Sequence, residues 1–100
     1  MRDAGAHTLA QSPFLAELRS LNVSSSALGD GGVRALAASP FLKNLRELYL
    51  CDNRIGPAGV RALVAAPLAK QLEVLHLRFN DIDAASAALL KQTFGVRVHW

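Results

Sequence analysis

The sequence predicts an α/β solenoid, in which short parallel strands alternate with helices along one axis. The first observation is a repeated spacing, L-x-x-L-x-L-x-x-N, at Leu45–Asn53 and again 27 residues later at Leu72–Asn80. It also occurs 27 residues earlier, at Leu18–Ser26, with Val23 for the third leucine and serine in the last place. The second observation is that each repeat changes its hydrophobic period from that of a strand to that of a helix. A fixed period between about 20 and 50 residues indicates units that bury a core only by stacking.

The repeat boundaries follow from internal identity. Residues 18–44 and 45–71 agree at 12 of 27 positions, and the next repeat is less regular. Residues 3–17 match residues 30–44 at eight of 15 positions, so the chain begins with the second half of a repeat. We predict a single domain over residues 1–100 with about 3.5 repeats. Its parts are a partial repeat, three further repeats and a terminal strand, at 1–17, 18–44, 45–71, 72–95 and 96–100.

The first half of each repeat is predicted to be a strand. Leu48 and Leu50 alternate with Tyr49 and Cys51, which is the period of two that a strand shows. Because every strand enters its repeat from the same side, the copies run parallel and need a crossover. Stacking is expected to form two buried columns, Leu21, Leu48 and Leu75 in one and Val23, Leu50 and Leu77 in the other.

The second half of each repeat is predicted to be the helix that supplies this crossover. Val60, Leu63 and Val64 fall at i, i+3 and i+4, the spacing of one helical face. Pro57 suits the first helical position, where its missing N–H costs nothing. Pro67, like Pro40 one repeat earlier, is expected to end the helix, because the residue before a proline avoids helical geometry.

Three kinds of residue are predicted to hold the repeats together. Gly32 and Gly59 mark positions where a helix and neighbouring backbone approach closely. The side-chain amides of Asn53 and Asn80 both donate and accept, so they can satisfy backbone groups at the strand ends. Asp83 replaces a glycine and is predicted to cap the helix of the repeat at residues 72–95.

The last residues are predicted to add a strand to the sheet edge. Val96 and Val98 alternate with Arg97 and His99, which indicates a strand, and Trp100 is expected to cover the end of the core.

The opposite flank has no such ending. Residues 3–17 have the apolar pattern of an interior repeat, whereas end repeats normally carry a polar outer face. We therefore expect the chain to be the C-terminal portion of a longer array, and its uncapped N-terminal flank to allow self-association.

Composition narrows the class of protein further. The chain is 51% hydrophobic and 19% charged, which is typical of a globular protein. Its net charge is +3, but the basic residues are scattered, so neither a nucleic-acid nor a membrane partner is indicated. No signal peptide or membrane span is visible, and we expect a cytoplasmic location. The single Cys51 excludes an intrachain disulfide and a zinc site built on cysteine pairs, and no cofactor or metal is expected.

One repeat carries a family pattern, at Leu45, Leu48, Leu50, Asn53, Ile55, Gly56, Gly59, Val60 and Leu63. With it, the chain resembles the leucine-rich repeat proteins of the ribonuclease-inhibitor-like subtype, over residues 3 to about 95. The resemblance implies a right-handed horseshoe with strands on the concave face and helices on the convex face. It also implies protein binding through the concave face and no enzymatic chemistry. The repeat is a residue or two shorter than is usual for that subtype.

The candidate binding residues lie between the buried leucines on the concave face. Neighbouring strands are about 4.8 Å apart, so corresponding side chains of successive repeats touch. Tyrosine and arginine are enriched among the residues that dominate binding energy. The prediction centres on Tyr49, His76, Arg78 and Phe79. The full predicted partner-binding set is Asn22, Glu47, Tyr49, Cys51, Asp52, His76, Arg78 and Phe79.

Several alternatives compete with a binding face. The same side chains could be solvated positions that pack on each other, with Tyr49 against His76, in a structural spacer of a longer array. A Cys51–His76 catalytic pair is disfavoured, because the two lie in adjacent columns beyond hydrogen-bond reach, and adding His99 as a metal ligand spreads the set further. A nucleic-acid surface along the basic strand starts is interrupted by Glu73 and has few aromatic residues for stacking bases.

Overall fold

The computed structural model describes residues 2–100 and shows the predicted alternation. Helices and strands follow one another as α1 Asp3–Ala10, β1 Ser20–Asn22, α2 Asp30–Ala37, β2 Glu47–Tyr49, α3 Pro57–Ala65, α4 Leu68–Gln71, β3 Val74–His76, α5 Ala84–Phe94 and β4 Val98–His99. Two short 3-10 helices occupy Pro13–Glu17 and Gly95–Arg97.

The strands form one parallel sheet in the order β1-β2-β3-β4. Leu21 lies opposite Leu48, and Leu48 opposite Leu75, which confirms the predicted register. Leu48 and Leu75 are buried, but Leu21 is only partly buried. The expectation of a fully buried column is therefore wrong at its first member, because β1 is an edge strand with no strand in front of it.

The helices form a second layer that covers one face of the sheet. α1 packs on α2, α2 on α3 and α3 on α5, so residues 3–10 continue the helical layer, in agreement with their likeness to residues 30–37. The core lies between the layers, where Leu48 and Leu75 of the sheet meet Val60, Leu63 and Leu90 of the helices. Full burial of such a side chain contributes roughly 1.5–3 kcal/mol.

Proline ends the helices as predicted, with one addition. α2 stops at Ala37 before Pro40, and α3 stops at Ala65 before Pro67. The sequence did not indicate that Pro67 would be followed at once by α4. This short helix carries Gln71, whose side-chain amide donates to the carbonyl of Leu42 in the preceding repeat and to that of Leu45 at the start of its own.

The asparagine contacts between repeats are confirmed. The Asn53 side-chain oxygen accepts a hydrogen bond from the Leu28 N–H at 2.9 Å, and its amide nitrogen donates to the Val23 carbonyl at 3.1 Å. Asn80 makes the corresponding bonds one repeat later. Buried backbone groups at the end of each strand are thereby satisfied by the next repeat.

Gly32 and Gly59 are close contacts as predicted, but the nearest atoms belong to side chains, an aspartate carboxylate first, and not to neighbouring backbone. Asp30 accepts a hydrogen bond from the Gly56 N–H at 2.7 Å. A Cβ placed on Gly59 would lie 2.7 Å from the same Asp30 oxygen, which is too close for ordinary packing. Asp3 makes the equivalent contacts one repeat earlier. Each aspartate thus joins the start of its own helix to the start of the next.

The start of α5 differs because the preceding repeat has no aspartate at the position equivalent to Asp30. Pro57 stands in its place, so no carboxylate fills the space, and Ser86 stands where the earlier repeats have glycine. Asp83 caps α5 from its own repeat by accepting a hydrogen bond from the Ser86 N–H at 2.8 Å, as predicted. That hydrogen bond lowers the pKa of the Asp83 carboxyl below its ordinary value.

The end of the chain corrects two expectations. The terminal strand is only Val98–His99, because Gly95–Arg97 forms a 3-10 turn, and Val96 is 93% exposed instead of facing the core. Trp100 remains 43% exposed, and it is Phe94, 3% exposed, that packs into the end of the core.

Arg97 also departs from the alternating pattern. Its guanidinium donates to the Leu72 carbonyl at 2.7 Å and to the Ala69 carbonyl at 3.1 Å. These carbonyls lie 27 residues after the two that Gln71 binds. Arg97 therefore occupies the place that a further repeat would give to an amide side chain.

Candidate functional site

The sheet presents a column of three stacked rings on its concave face. Strand register sets Tyr49 opposite His76 and His76 opposite His99. The Tyr49 and His76 ring centroids are 4.9 Å apart with planes at 17°, and those of His76 and His99 are 4.7 Å apart at 18°. We call Tyr49, His76 and His99 the aromatic column. The predicted contact between its first two members is confirmed.

His99 was expected from the sequence to lie apart from His76, and this expectation is wrong, because the two rings are stacked. It follows His76 by 23 residues (99 minus 76) instead of the 27 that separate the other strands, because the 3-10 turn shortens the last connection. A strict 27-residue period therefore does not predict the position of His99. The available signal was local, namely that His99 alternates with the inward-facing Val98.

Glu47 fixes the phenol at one end of the column. The Tyr49 hydroxyl donates to the Glu47 carboxylate at 2.9 Å. This hydrogen bond, with burial and the negative charge of Glu47, raises the pKa of Tyr49 above its ordinary value. The phenol therefore stays protonated, and its ring is held in place against His76.

A second row of side chains follows the strand ends in an unusual backbone conformation. Ser25, Asp52 and Phe79 have φ of 56°, 55° and 61°, the left-handed region that favours glycine. This geometry costs roughly 1–2 kcal/mol per residue when the residue is not glycine. Polar Ser25 and Asp52 tolerate it better than Phe79 does, and the Ser25 hydroxyl donates to Asp52 at 2.9 Å.

Phe79 and Arg78 form an exposed pair at the end of β3. Phe79 is 74% exposed, and the Arg78 guanidinium carbon lies 5.5 Å from its ring centroid. A cation at this distance is attracted to the face of the ring. The pair offers a planar, charged and apolar surface beside the aromatic column.

Asn22 closes the sheet edge and adds no aromatic contact. Its side-chain oxygen accepts a hydrogen bond from the Ser24 N–H at 3.0 Å. The Ser26 hydroxyl donates to the Ser24 carbonyl at 3.2 Å. The side chains of the first repeat thus satisfy backbone groups that an interior strand would share with a preceding strand.

Cys51 lies outside the aromatic column as a half-buried free thiol. Its main-chain N–H donates to the Ser24 hydroxyl at 3.0 Å. Within residues 2–100, no three His, Cys, Asp or Glu side chains are grouped closely enough to hold a metal ion.

These residues divide into three local groups. Tyr49, His76 and His99 stack, with Glu47 attached to the phenol. Arg78 and Phe79 pair at the end of β3, and Asp52 pairs with Ser25 at the end of β2. The arrangement combines large planar surfaces with hydrogen-bond donors, which suits recognition of a surface.

The fold and this face define a solenoid repeat protein with a side-chain-rich concave sheet. The family described as Leucine Rich repeat matches residues 17–37, 41–64 and 71–90, more than half of the chain. The chain therefore belongs to the leucine-rich repeat family, whose repeats are commonly protein-interaction modules and generally not enzymes. No curated protein matches the chain. Among residues 2–100, no helix is both long enough and apolar enough to cross a membrane.

Proposed function

We propose that the chain is a non-enzymatic recognition module that binds another protein through the concave face. The observation that carries the proposal is the aromatic column together with the exposed Arg78–Phe79 pair, set on the sheet of a leucine-rich repeat fold. Tyr49 and Arg78 belong to residue types that dominate binding energy at interfaces.

The side chains of this face are held in position before a partner arrives. Tyr49 is stacked on one side and hydrogen-bonded to Glu47. The backbone of Phe79 keeps a costly conformation that leaves its ring in solvent. Ordering such side chains on binding costs less than ordering mobile ones, so preorganisation favours affinity. A strained, exposed phenylalanine also suits a surface that another molecule covers.

The alternative is a structural segment of a longer array that binds nothing itself. It is favoured by a difference between equivalent phenylalanines, since Phe14 is 84% exposed and Phe41 packs on the core. A further repeat stacked on α1 would cover Phe14. Under either function, we propose that residues 1–100 form one domain with repeats at 18–44, 45–71 and 72–95. A helix opposite each strand also supports the ribonuclease-inhibitor-like subtype.

A peptide-display selection separates the two. The immobilised chain is screened against a random library, and selected peptides are then titrated against a concave variant, Tyr49→Ala with Arg78→Ala. The matched control is Arg34→Ala with Arg61→Ala, which removes two exposed arginines from the convex helices α2 and α3. We expect the concave variant to lose affinity about tenfold or more and the control to keep it.

Two outcomes would contradict the binding proposal. The first is that no peptide is enriched over the bare matrix. The second is that both variants bind the selected peptides as the unmodified chain does. Thermal unfolding of each variant checks that any lost affinity is not lost fold.

A further inference from the structure

We propose that the His76–His99 end of the aromatic column recognises a carboxylate on an acidic peptide segment of the protein partner. This inference rests on the proposed function and gives the partner a chemistry. It starts from two imidazoles that lie on adjoining strands in direct register.

The ring geometry favours one shared anion. The His76 and His99 centroids are 4.7 Å apart and their planes differ by 18°, so the outer edges of the rings run side by side. A neutral imidazole offers one N–H and a protonated one offers two. A carboxylate has two oxygens, so it can accept one hydrogen bond from each ring, as in other bidentate pairs.

The surrounding charges leave this pair open to an added anion. On β2, Glu47 accepts from the Tyr49 hydroxyl. At the end of that strand, Asp52 accepts from the Ser25 hydroxyl. The charged residues flanking β3 are Glu73 and Arg78, one of each sign.

Two further charges lie beside the pair on the chain, Arg97 just before β4 and the terminal carboxylate of Trp100 just after it. The Arg97 guanidinium is committed to backbone carbonyls, including those of Ala69 and Leu72. Glu47 and Asp52 belong to the repeat of Tyr49 and keep their charge, whereas Arg78 follows β3, so an acidic segment is best accommodated on the His76, His99 and Arg78 side of the face.

Proton binding should strengthen the contact. Two imidazolium ions at this spacing repel each other, and a carboxylate between them offsets that repulsion. Protonation gives an imidazole a positive charge and a second N–H donor, and both strengthen its attraction to a carboxylate. Binding is therefore expected to tighten as the pH falls from about 7.5 to about 5.5.

The probe is acetyl-tetraglutamate amide, with acetyl-tetraglutamine amide as the uncharged control. Acetyl-tetraglutamine with a free C-terminus tests whether a terminal carboxylate suffices. The titrations are followed by the NMR signals of the histidine ring protons. The signals of His76 and His99 should shift when the peptide binds, and that of His7 should not. His7 is exposed on α1 and serves as an internal reference. The glutamate peptide should bind about fivefold tighter at the lower pH.

Variants separate a specific site from general attraction to positive charge. His99→Gln should weaken binding of the glutamate peptide about fivefold at the lower pH, whereas His7→Gln, which removes the same charge, should not. His99→Phe keeps a ring in the column but removes its N–H donors, and should weaken binding as His99→Gln does.

Three results would overturn the inference. One is an equal loss of affinity in His7→Gln and His99→Gln. Another is unchanged binding in His99→Phe, and a third is equal affinity at both pH values. If the library yields neutral peptides that need Tyr49 and Arg78, the proposed function stands and the carboxylate site alone fails.

Discussion

At the scale of single residues, the repeat is maintained by side chains that change together. Gly59 has no space for a Cβ because the Asp30 carboxylate lies there, held by its hydrogen bond to Gly56. Where the sequence has Pro57 in the place of that aspartate, Ser86 replaces the glycine. The glycine is thus required by the Asp30 carboxylate of the preceding repeat and by Ile55 Cγ2, 2.9 Å from a Cβ at this position, and not by its own backbone conformation.

Gly59→Ala should destabilise the fold by about 1–3 kcal/mol, the usual cost of overpacking, despite the better helix propensity of alanine. Asp30→Ala removes the closer of two contacts and leaves Ile55 Cγ2 at 2.9 Å, so Gly59→Ala should cost less, but still something, in that background. A urea denaturation cycle of the two single variants and the double variant measures the coupling. Additive effects would show that the carboxylate is not what excludes the side chain.

Asp83 makes the start of α5 sensitive to pH. Its hydrogen bond with Ser86 lowers the pKa of the folded carboxyl, so its stabilising effect is present above the unfolded pKa. The effect is lost as the pH falls through the folded value. We expect Asp83→Ala to lower the urea midpoint at neutral pH and to differ less from the unmodified chain near about pH 2.5. Asp81→Ala, at an exposed residue outside the helix, is the control. If the urea midpoint of Asp83→Ala differs from that of the unmodified chain by the same amount at both pH values, the cap is contradicted.

At the scale of the elements, the fold was predictable wherever the 27-residue period holds. The register of Leu48 on Leu75 follows from stacking equivalent positions, and so do the contacts of Asn53 and Asn80. The period fails after α5, where Gly95 with φ of 59° turns the chain into a 3-10 helix. The alternation of Val96 and Val98 cannot reveal this, because a turn and a strand share the same short pattern.

The candidate site was predictable in part for the same reason. Alternation with the buried leucines indicated which side chains face outward, and hence the contact of Tyr49 with His76. His99 was missed because it enters through the shortened last connection. The left-handed backbone at Phe79 was missed because phenylalanine is a residue type that seldom adopts it.

Arg97 makes hydrogen bonds to Ala69 and Leu72 that correspond to those of Gln71 one repeat earlier. Arg97→Ala should destabilise the fold by about 2 kcal/mol, because the carbonyls of Ala69 and Leu72 lose a charged donor. Arg97→Lys keeps the charge but not the planar fork, so it should recover only part of the loss. Urea denaturation gives the free energy, and hydrogen exchange should show the loss concentrated in α5 and β4. Exposed Arg34→Ala on α2 is the control, and a similar effect there would rule out a specific role.

At the scale of the whole molecule, the sheet and the helical layer expose different groups at the N-terminal flank. In the sheet, Asn22 and Ser26 satisfy the N–H and carbonyl of Ser24, just beyond β1, so these two groups are not free to pair with another strand. In the helical layer, Phe14 is 84% exposed. Any association through this flank should therefore be driven by the helical side and opposed by the closed strand edge.

This division gives opposite expectations for two sets of variants in sedimentation velocity over a range of concentrations. Phe14→Gln should reduce self-association of the chain, because it removes the exposed apolar contact. Asn22→Ala with Ser26→Ala should increase it, because the N–H and carbonyl of Ser24 become free to pair with a second chain. Thr8→Ala, on the exposed surface of α1, is the control that should leave the sedimentation coefficient unchanged. If the double variant stays as monomeric as the control, the hydrogen bonds of Asn22 and Ser26 do not protect the edge. If Phe14→Gln has no effect on an associating chain, the contact lies elsewhere on the molecule.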